Sequence, residues 1–399
     1  MLRGTDQNSM PQKALSLFPR SLLLIFLFLT AHIYLHRAAS PSLKANSQST
    51  AATSLYLPLL FTDWPIPQVV ATIPLPGASC PNDIGANPVS GLVYVANHDS
   101  SNVSILQATT FVKNVATGEW PTRISSAPDS ARTAVTNLHG PVSVFDQESL
   151  VASLPTNPPP VYGEPYAAAF NPVNGYLYVT NVVGSVVQVF DQSYNSIANV
   201  ELNAGWILDV DVDPQTGLVY VISVEDGHMY VISGTQHVDT FRLGWGPFRS
   251  AIDPIKRTIY SAHAAPNSVY PHNLSIFDID SKTVTPLSTA ATSRNVAVNT
   301  RNGNAYATNP DDDSVTILQG TNVVATLPVG AQPWDVAVNP NSGYAFVTNL
   351  ADNTVTILRG DTVIGTLPTG RHPTAITVDT LNNVTYVANC ADASVTVLR

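Results

Sequence analysis

From about residue 65 onward, apolar and polar positions alternate in short runs, and the runs recur at a fixed interval. The strings NPVSGLVYVAN (87–97), NPVNGYLYVTN (171–181), DPQTGLVYVIS (213–223) and NPNSGYAFVTN (339–349) each precede a short turn and a second alternating stretch. The residues closing each copy are Asn97, Asn137, Asn181, Ser223, His263, Asn309, Asn349 and Asn389, spaced 40 to 46 residues apart. Alternation with a period of two predicts strands, and no stretch after residue 60 sustains the 3.6-residue period of an amphipathic helix. Each copy divides into four strand-like pieces. In the seventh these are PWDVAVNP, NSGYAFVTN, DNTVTILRG and DTVIGTLPTG. Asn339-Pro340-Asn341-Ser342-Gly343 joins the first two. Asn opens such a turn, Pro presets the next φ, and Gly accepts the left-handed conformation. The second piece carries a buried-type aromatic in seven copies: Tyr94, Tyr178, Tyr220, Tyr260, Tyr306, Phe346 and Tyr386. Ala134 replaces it in the second copy, the most eroded.

Eight four-stranded units of this length predict an all-β chain folded as a β-propeller of eight blades, with seven as the runner-up. The last copy supplies only three strands before the chain reaches Arg399, whereas VVATIPLPG (69–77) stands ahead of the first copy and mirrors VVATLPVG (323–330). The segment 69–77 is therefore expected to complete the C-terminal blade and remove an open edge. In an up-and-down blade, the turn between strands two and three shares a rim with the exit from strand four. Cys390 lies in the first and Cys80 just past the second, so a Cys80–Cys390 disulfide is expected, with two free thiols as the alternative.

YVTN at 178–181, YVAN at 94–97 and 386–389, and FVTN at 346–349, with the approach GxxPxxxAV at 330–338, resemble the YVTN β-propeller repeats of secreted and surface-layer proteins. The resemblance covers residues 65–399. It implies a propeller fold, often of seven blades, and an extracellular interaction or surface role.

Composition agrees with strands and turns: charged residues make up 12% of the chain and only five are lysines. Net charge is −10, and no basic stripe follows residue 44, which argues against nucleic acid or an anionic membrane surface as partner. The N-terminus differs. Arg3, Lys13 and Arg20 lead into SLLLIFLFLTAHIYL and then HRAAS, the layout of a secretory signal peptide over 1–39, cleaved near Ala39. An uncleaved anchor is the alternative, and the membrane is then met only through this segment. Residues 40–64 read as a flexible linker followed by the apolar LYLPLLF (55–61), and residues 65–399 as the propeller. The compartment expected is extracellular or cell-surface, and the chain a monomer.

Catalytic signatures are missing: no G-x-S-x-G, Walker loop, H-E-x-x-H or C-x-x-C-H occurs. DVDVDPQTG (209–217) has Pro214 and Tyr220 where a calcium loop needs Gly and Glu, so an EF-hand is rejected. Asp311-Asp312-Asp313, with Asp352 and Asp392, reads as turn capping rather than a calcium site. His98, His139 and His263 fall on one rim but in different blades, and no metal or cofactor is expected. Sequons stand at Asn102, Asn273 and Asn383. Two residues after each blade's Pro position, the chain places Asp83, Arg123, Ala167, Asp209, Arg249, Asn295, Asp335 and Ala375 around the axis. Asp83–Arg123 and Asp209–Arg249 suggest inter-blade ion pairs, of the rim kind that contributes little. Around them the entry loops collect Trp120, Tyr166, Trp206, Trp245, Phe248 and Trp334, with Glu119, Glu164, Arg294, Arg371 and His372. Aromatics with a few charges suit a binding rim; the competing reading has each ring capping its own inter-blade groove.

These features point to a secreted, non-enzymatic module that presents loops to a protein or glycan. The alternatives are an extracytoplasmic enzyme of the lactonase or quinoprotein-dehydrogenase type, and a structural surface-layer component.

Overall fold

The computed structural model describes residues 64–156, 164–265 and 268–399. The expected signal segment, most of the linker and LYLPLLF lie outside the described residues. What is described is a ring of eight four-stranded antiparallel sheets, each running from an innermost strand to an outermost one. The innermost strands are Pro81–Ala86, Glu119–Ser126, Pro165–Phe170, Ile207–Val212, Pro247–Asp253, Val296–Asn299, Pro333–Val338 and Pro373–Asp379, which open blades 1 to 8 in that order. The eroded second copy forms a complete blade, with Arg132–His139, Val142–Asp146 and Ser149–Leu154 following its first strand. Seven blades are excluded by that sheet.

Ring closure follows the predicted route with a shorter strand. Val69–Pro74 pairs antiparallel with Ser394–Leu398, from Val69 opposite Leu398 to Pro74 opposite Ser394. Each terminal strand thereby covers an edge that the other would leave open. A disulfide joins Cys80 to Cys390 on this blade (S–S 2.05 Å), and the backbone amide of Cys390 donates to the His372 carbonyl.

Each letter of the repeated YVTN-type string has a physical task. The tyrosines sit between blades at 0% exposure, as Tyr94, Tyr178, Tyr260, Tyr306 and Tyr386 do, which contributes roughly 2–3 kcal/mol each from apolar burial. Three of their hydroxyls donate to turns in later blades: Tyr94 to the Gln147 carbonyl, Tyr178 to that of Gly234, and Tyr306 to that of Gly360. Thr308 and Thr348 accept from the backbone amides of Asn295 and Asp335 beside the innermost strand. The closing Asn donates to hydroxyls on the third strand, as Asn349 does to Thr354 and Thr356, and Asn389 to Ser394 and Thr396. The donor side of these buried amides is thus satisfied within the repeat itself, while Asn349 Oδ1 and Asn389 Oδ1 meet no hydrogen-bond partner.

The acidic turns are structural caps. Asp352 accepts from the Ala331 amide at 2.7 Å, Asp312 from that of Ala291 at 2.8 Å, and Asp392 from that of Arg371 at 2.7 Å. Asn273 is fully buried, so its sequon is closed to modification in the folded protein.

Candidate functional site

The innermost strand of each blade has no neighbour on its axial side, so its outward amides face the hollow of the ring. A β-bulge just ahead of the axial position re-aims the following side chain. The register shifts between Pro81 and Asp83, Pro121 and Arg123, Ile207 and Asp209, and Pro247 and Arg249. Three aspartates use this geometry identically. Asp83 Oδ2 accepts from the Ile124 amide at 2.8 Å, Asp209 Oδ2 from Ser250 at 2.7 Å, and Asp335 Oδ2 from Ile376 at 2.9 Å. Each staples its blade to the next and satisfies an amide that no strand would reach.

The two expected ion pairs are present, and they differ in burial from the expectation. Arg249 Nη1 donates to Asp209 Oδ1 at 3.1 Å, with 8% and 14% of the two side chains exposed. Arg123 lies 3.7 Å from Asp83, with 26% and 13% exposed. Partial burial removes solvent screening, so the Asp209 pair does not behave as a weak rim pair.

Asp211, two residues along the same strand, was not singled out from the sequence, although the alternation in DVDVD places it on the face of Asp209. Ser250 Oγ lies 2.6 Å from Asp211 and 3.0 Å from Asp209. A hydroxyl has one hydrogen, so the two carboxylates share it, and a proton held by the pair would relieve their mutual repulsion. Burial raises both carboxyls above their usual range, and the Asp209 charge raises Asp211 further. Burial likewise pushes Asp335 up to about 6. The unfolded chain ionises such groups near pH 4 (about 3.9 for Asp), so above that pH the folded state binds more protons than the unfolded one. Stability from these groups is full below about pH 4 and is lost as pH rises through the raised folded values. Asp211→Asn is therefore expected to unfold with a smaller loss of urea midpoint between pH 4 and pH 7 than the wild type. Parallel midpoint curves for the two proteins would sink this reading.

Aromatic rings and arginines interleave across the axis. Arg123 and Arg249 lie 5.7 and 5.8 Å from the Tyr166 ring, and Arg249 lies 5.2 Å from Phe248. Arg294 lies 5.3 Å from Phe248 and 3.2 Å from the Trp334 ring centre. Tyr166 of blade 3 meets Arg249 of blade 5, a contact that skips blade 4 and is made only across the hollow. Burial pulls the Arg294 guanidinium down to about 9, which leaves it charged at neutral pH. Asp335 is held in place by the amides of Val336 and Ile376 and by the Asn295 side chain.

Of the residues picked from sequence, Tyr166, Phe248, Arg249, Arg294, Trp334 and Asp335 converge here. The others do not. Trp120 is sandwiched on the rim between His98 and His139, with ring centres 5.3 and 4.4 Å away, so both indole faces are covered. Trp206 packs against the buried cluster around Val210 and Val221. Trp245 is 37% exposed, and its carbonyl meets His263 Nδ1. His263 itself is buried, which pulls it down to about 4 and keeps it neutral. Arg371 Nε bonds Asp392 at 2.6 Å within blade 8, and the His372 amide donates to Asn353. Capping is the role the structure shows for Trp120, Arg371 and the His372 backbone. Arg123 joins the axial group, and its place in the axial series was the signal for it. Among the described residues no set of three or more His, Cys, Asp or Glu side chains is grouped to hold a metal ion.

No protein-family model matches the chain, and no curated protein matches it. Among solved structures it is similar to hydrazine synthase of Kuenenia stuttgartiensis, at 18% identity and a TM-score of 0.56, over 82% of this chain and 96% of that one. A likeness at that identity is one of fold, the propeller.

Proposed function

We propose that this chain is a non-enzymatic, extracytoplasmic binding module, a rigid propeller whose axial mouth engages a protein or glycan of the cell envelope. The observation that carries the reading is how the axial groups are used. Asp83, Asp209 and Asp335 are each committed to a backbone amide of the next blade. A general acid, base or metal ligand must be free to reach substrate, and these carboxylates are engaged in holding the ring. Of the groups beside them, Arg249 is paired with Asp209 and Tyr166 belongs to a buried cluster, which leaves Arg294 and Trp334 as the pair that no such bond engages among the described residues. The disulfide fits an oxidising compartment, and the YVTN-type strings support the same extracellular setting.

The test uses the purified full chain against arrayed glycans and isolated envelope polymers. Saturable binding is expected, weakened about tenfold or more in Trp334→Ala, because a truncated aromatic anchor costs upward of 1–2 kcal/mol. Turnover of a lactone that depends on an added metal ion would overturn the non-enzymatic reading.

A further inference from the structure

We propose that the axial mouth recognises a single carboxylate group, carried on an uncharged ring such as the pyranose of a uronic acid, with Arg294 as its principal partner. The proposal rests on the binding-module reading and specifies its ligand. Arg294 is wedged between Trp334 and Phe248 at 3.2 and 5.3 Å. Among the described residues no carboxylate lies within ion-pair distance of it, and its side-chain donors have no protein acceptor. Both neighbouring arginines also keep unused donors in the same mouth. Arg249 Nη2 and Arg123 Nε are buried and meet no hydrogen-bond partner, and Arg249 as a whole is 7% exposed. Buried donors left unpaired are costly. Two buried unpaired donors, beside the partly buried Arg294 guanidinium that no carboxylate neutralises among the described residues, form a site that lacks its acceptor.

The chemistry of that acceptor follows from the surroundings. A guanidinium is planar, and its parallel N–H groups match the two oxygens of a carboxylate. Asp83, Asp209 and Asp335 share the mouth and balance the three arginines one for one. A monoanion held by the guanidinium fork is therefore tolerated better than a phosphate of charge near −2, which the same aspartates repel more strongly. The partly exposed ring of Trp334, beside the guanidinium, supplies an apolar surface on which the C–H face of a sugar can lie. Arginine rather than lysine at all three positions fits recognition by a fork of donors.

Calorimetric titration of the full chain with glucuronate, galacturonate, glucose, acetate and glucose 6-phosphate tests this. Glucuronate or galacturonate is expected to bind, glucose to be inert, and the phosphate to bind more weakly than the uronate. Arg294→Gln is expected to weaken uronate binding about 10- to 100-fold, the loss of a charge-assisted pair. Arg294→Lys keeps the charge without the fork and should recover only part of it. Arg242→Gln, on an outermost strand, is the control expected to bind as the wild type. Acetate binding as tightly as uronate would show that the carboxylate alone is read and would overturn the sugar-ring part. No uronate binding, or binding unchanged in both folded Arg294 variants, overturns the proposal. An envelope partner retained by those same variants would leave the binding-module reading standing and this site refuted.

Discussion

The Cys80→Ser, Cys390→Ser double variant is expected to unfold about 5 kcal/mol more easily than the oxidised wild type, with a melting temperature lower by on the order of 10 °C. The magnitude comes from the loop that the bridge closes. The two cysteines are 310 residues apart, so the crosslink ties nearly the whole ring before folding begins. Position adds to length. Among the described sheets, blade 8 alone joins the first strand of the propeller to its last, Val69–Pro74 against Ser394–Leu398. Fraying there opens the ring and exposes two strand edges together, whereas fraying of an interior blade is limited by its neighbours. Reduction of the wild type should reproduce the loss, and the double variant should be insensitive to reductant. Equal melting temperatures for oxidised wild type and double variant would show that strand pairing alone closes the ring.

Asp209→Ala is the point substitution expected to cost most among the axial positions, about 3–5 kcal/mol. Its carboxylate accepts from Arg249 Nη1, the Ser250 amide and the Ser250 hydroxyl at 3.1, 2.7 and 3.0 Å. Truncation leaves a guanidinium that is 7% exposed without its counter-charge, and an amide without an acceptor. Relief of the repulsion on Asp211 offsets part of this, so the lower end of the range is expected. Asp209→Asn keeps one accepting oxygen and should lose less. Asp83→Ala makes an internal comparison, because Arg123 lies farther away, at 3.7 Å, and is more exposed. Urea unfolding at pH 7 with unchanged m values reads all three. If Asp209→Ala is no more damaging than Asp83→Ala, burial is not what sets the worth of these pairs.

The contrast between the two pairs bears on how ring folds handle their axis. Innermost strands are edges that cannot be covered by another strand, and here side chains from the preceding blade do the covering. That use makes the axial aspartates poor candidates for chemistry, even though burial raises them toward neutral pH. A carboxyl shifted by desolvation is often a functional signal. At this axis the same aspartates also hold backbone amides of the next blade, and Arg294 is the axial arginine without a carboxylate partner among the described residues.

Local pattern determined much of this protein. The period of 40 to 46 residues counted the blades, including the eroded second one, because a four-stranded unit has a nearly fixed length. The missing fourth strand at one end and the surplus strand at the other determined closure, and strand count together with rim parity placed Cys80 opposite Cys390. These are properties of order along the chain, which the sequence carries directly. The site was legible only by position. Reading off the second residue after each Pro position named Asp83, Arg123, Asp209, Arg249 and Asp335 as axial, yet could not say which rings lean inward. Trp120 and Trp334 stand on either side of the Pro position of the repeat; one is clasped by two histidines on the rim and the other lies against Arg294 in the mouth. That difference depends on residues from other blades and on burial. Both come from distances across the ring, and only the closed tertiary structure sets those.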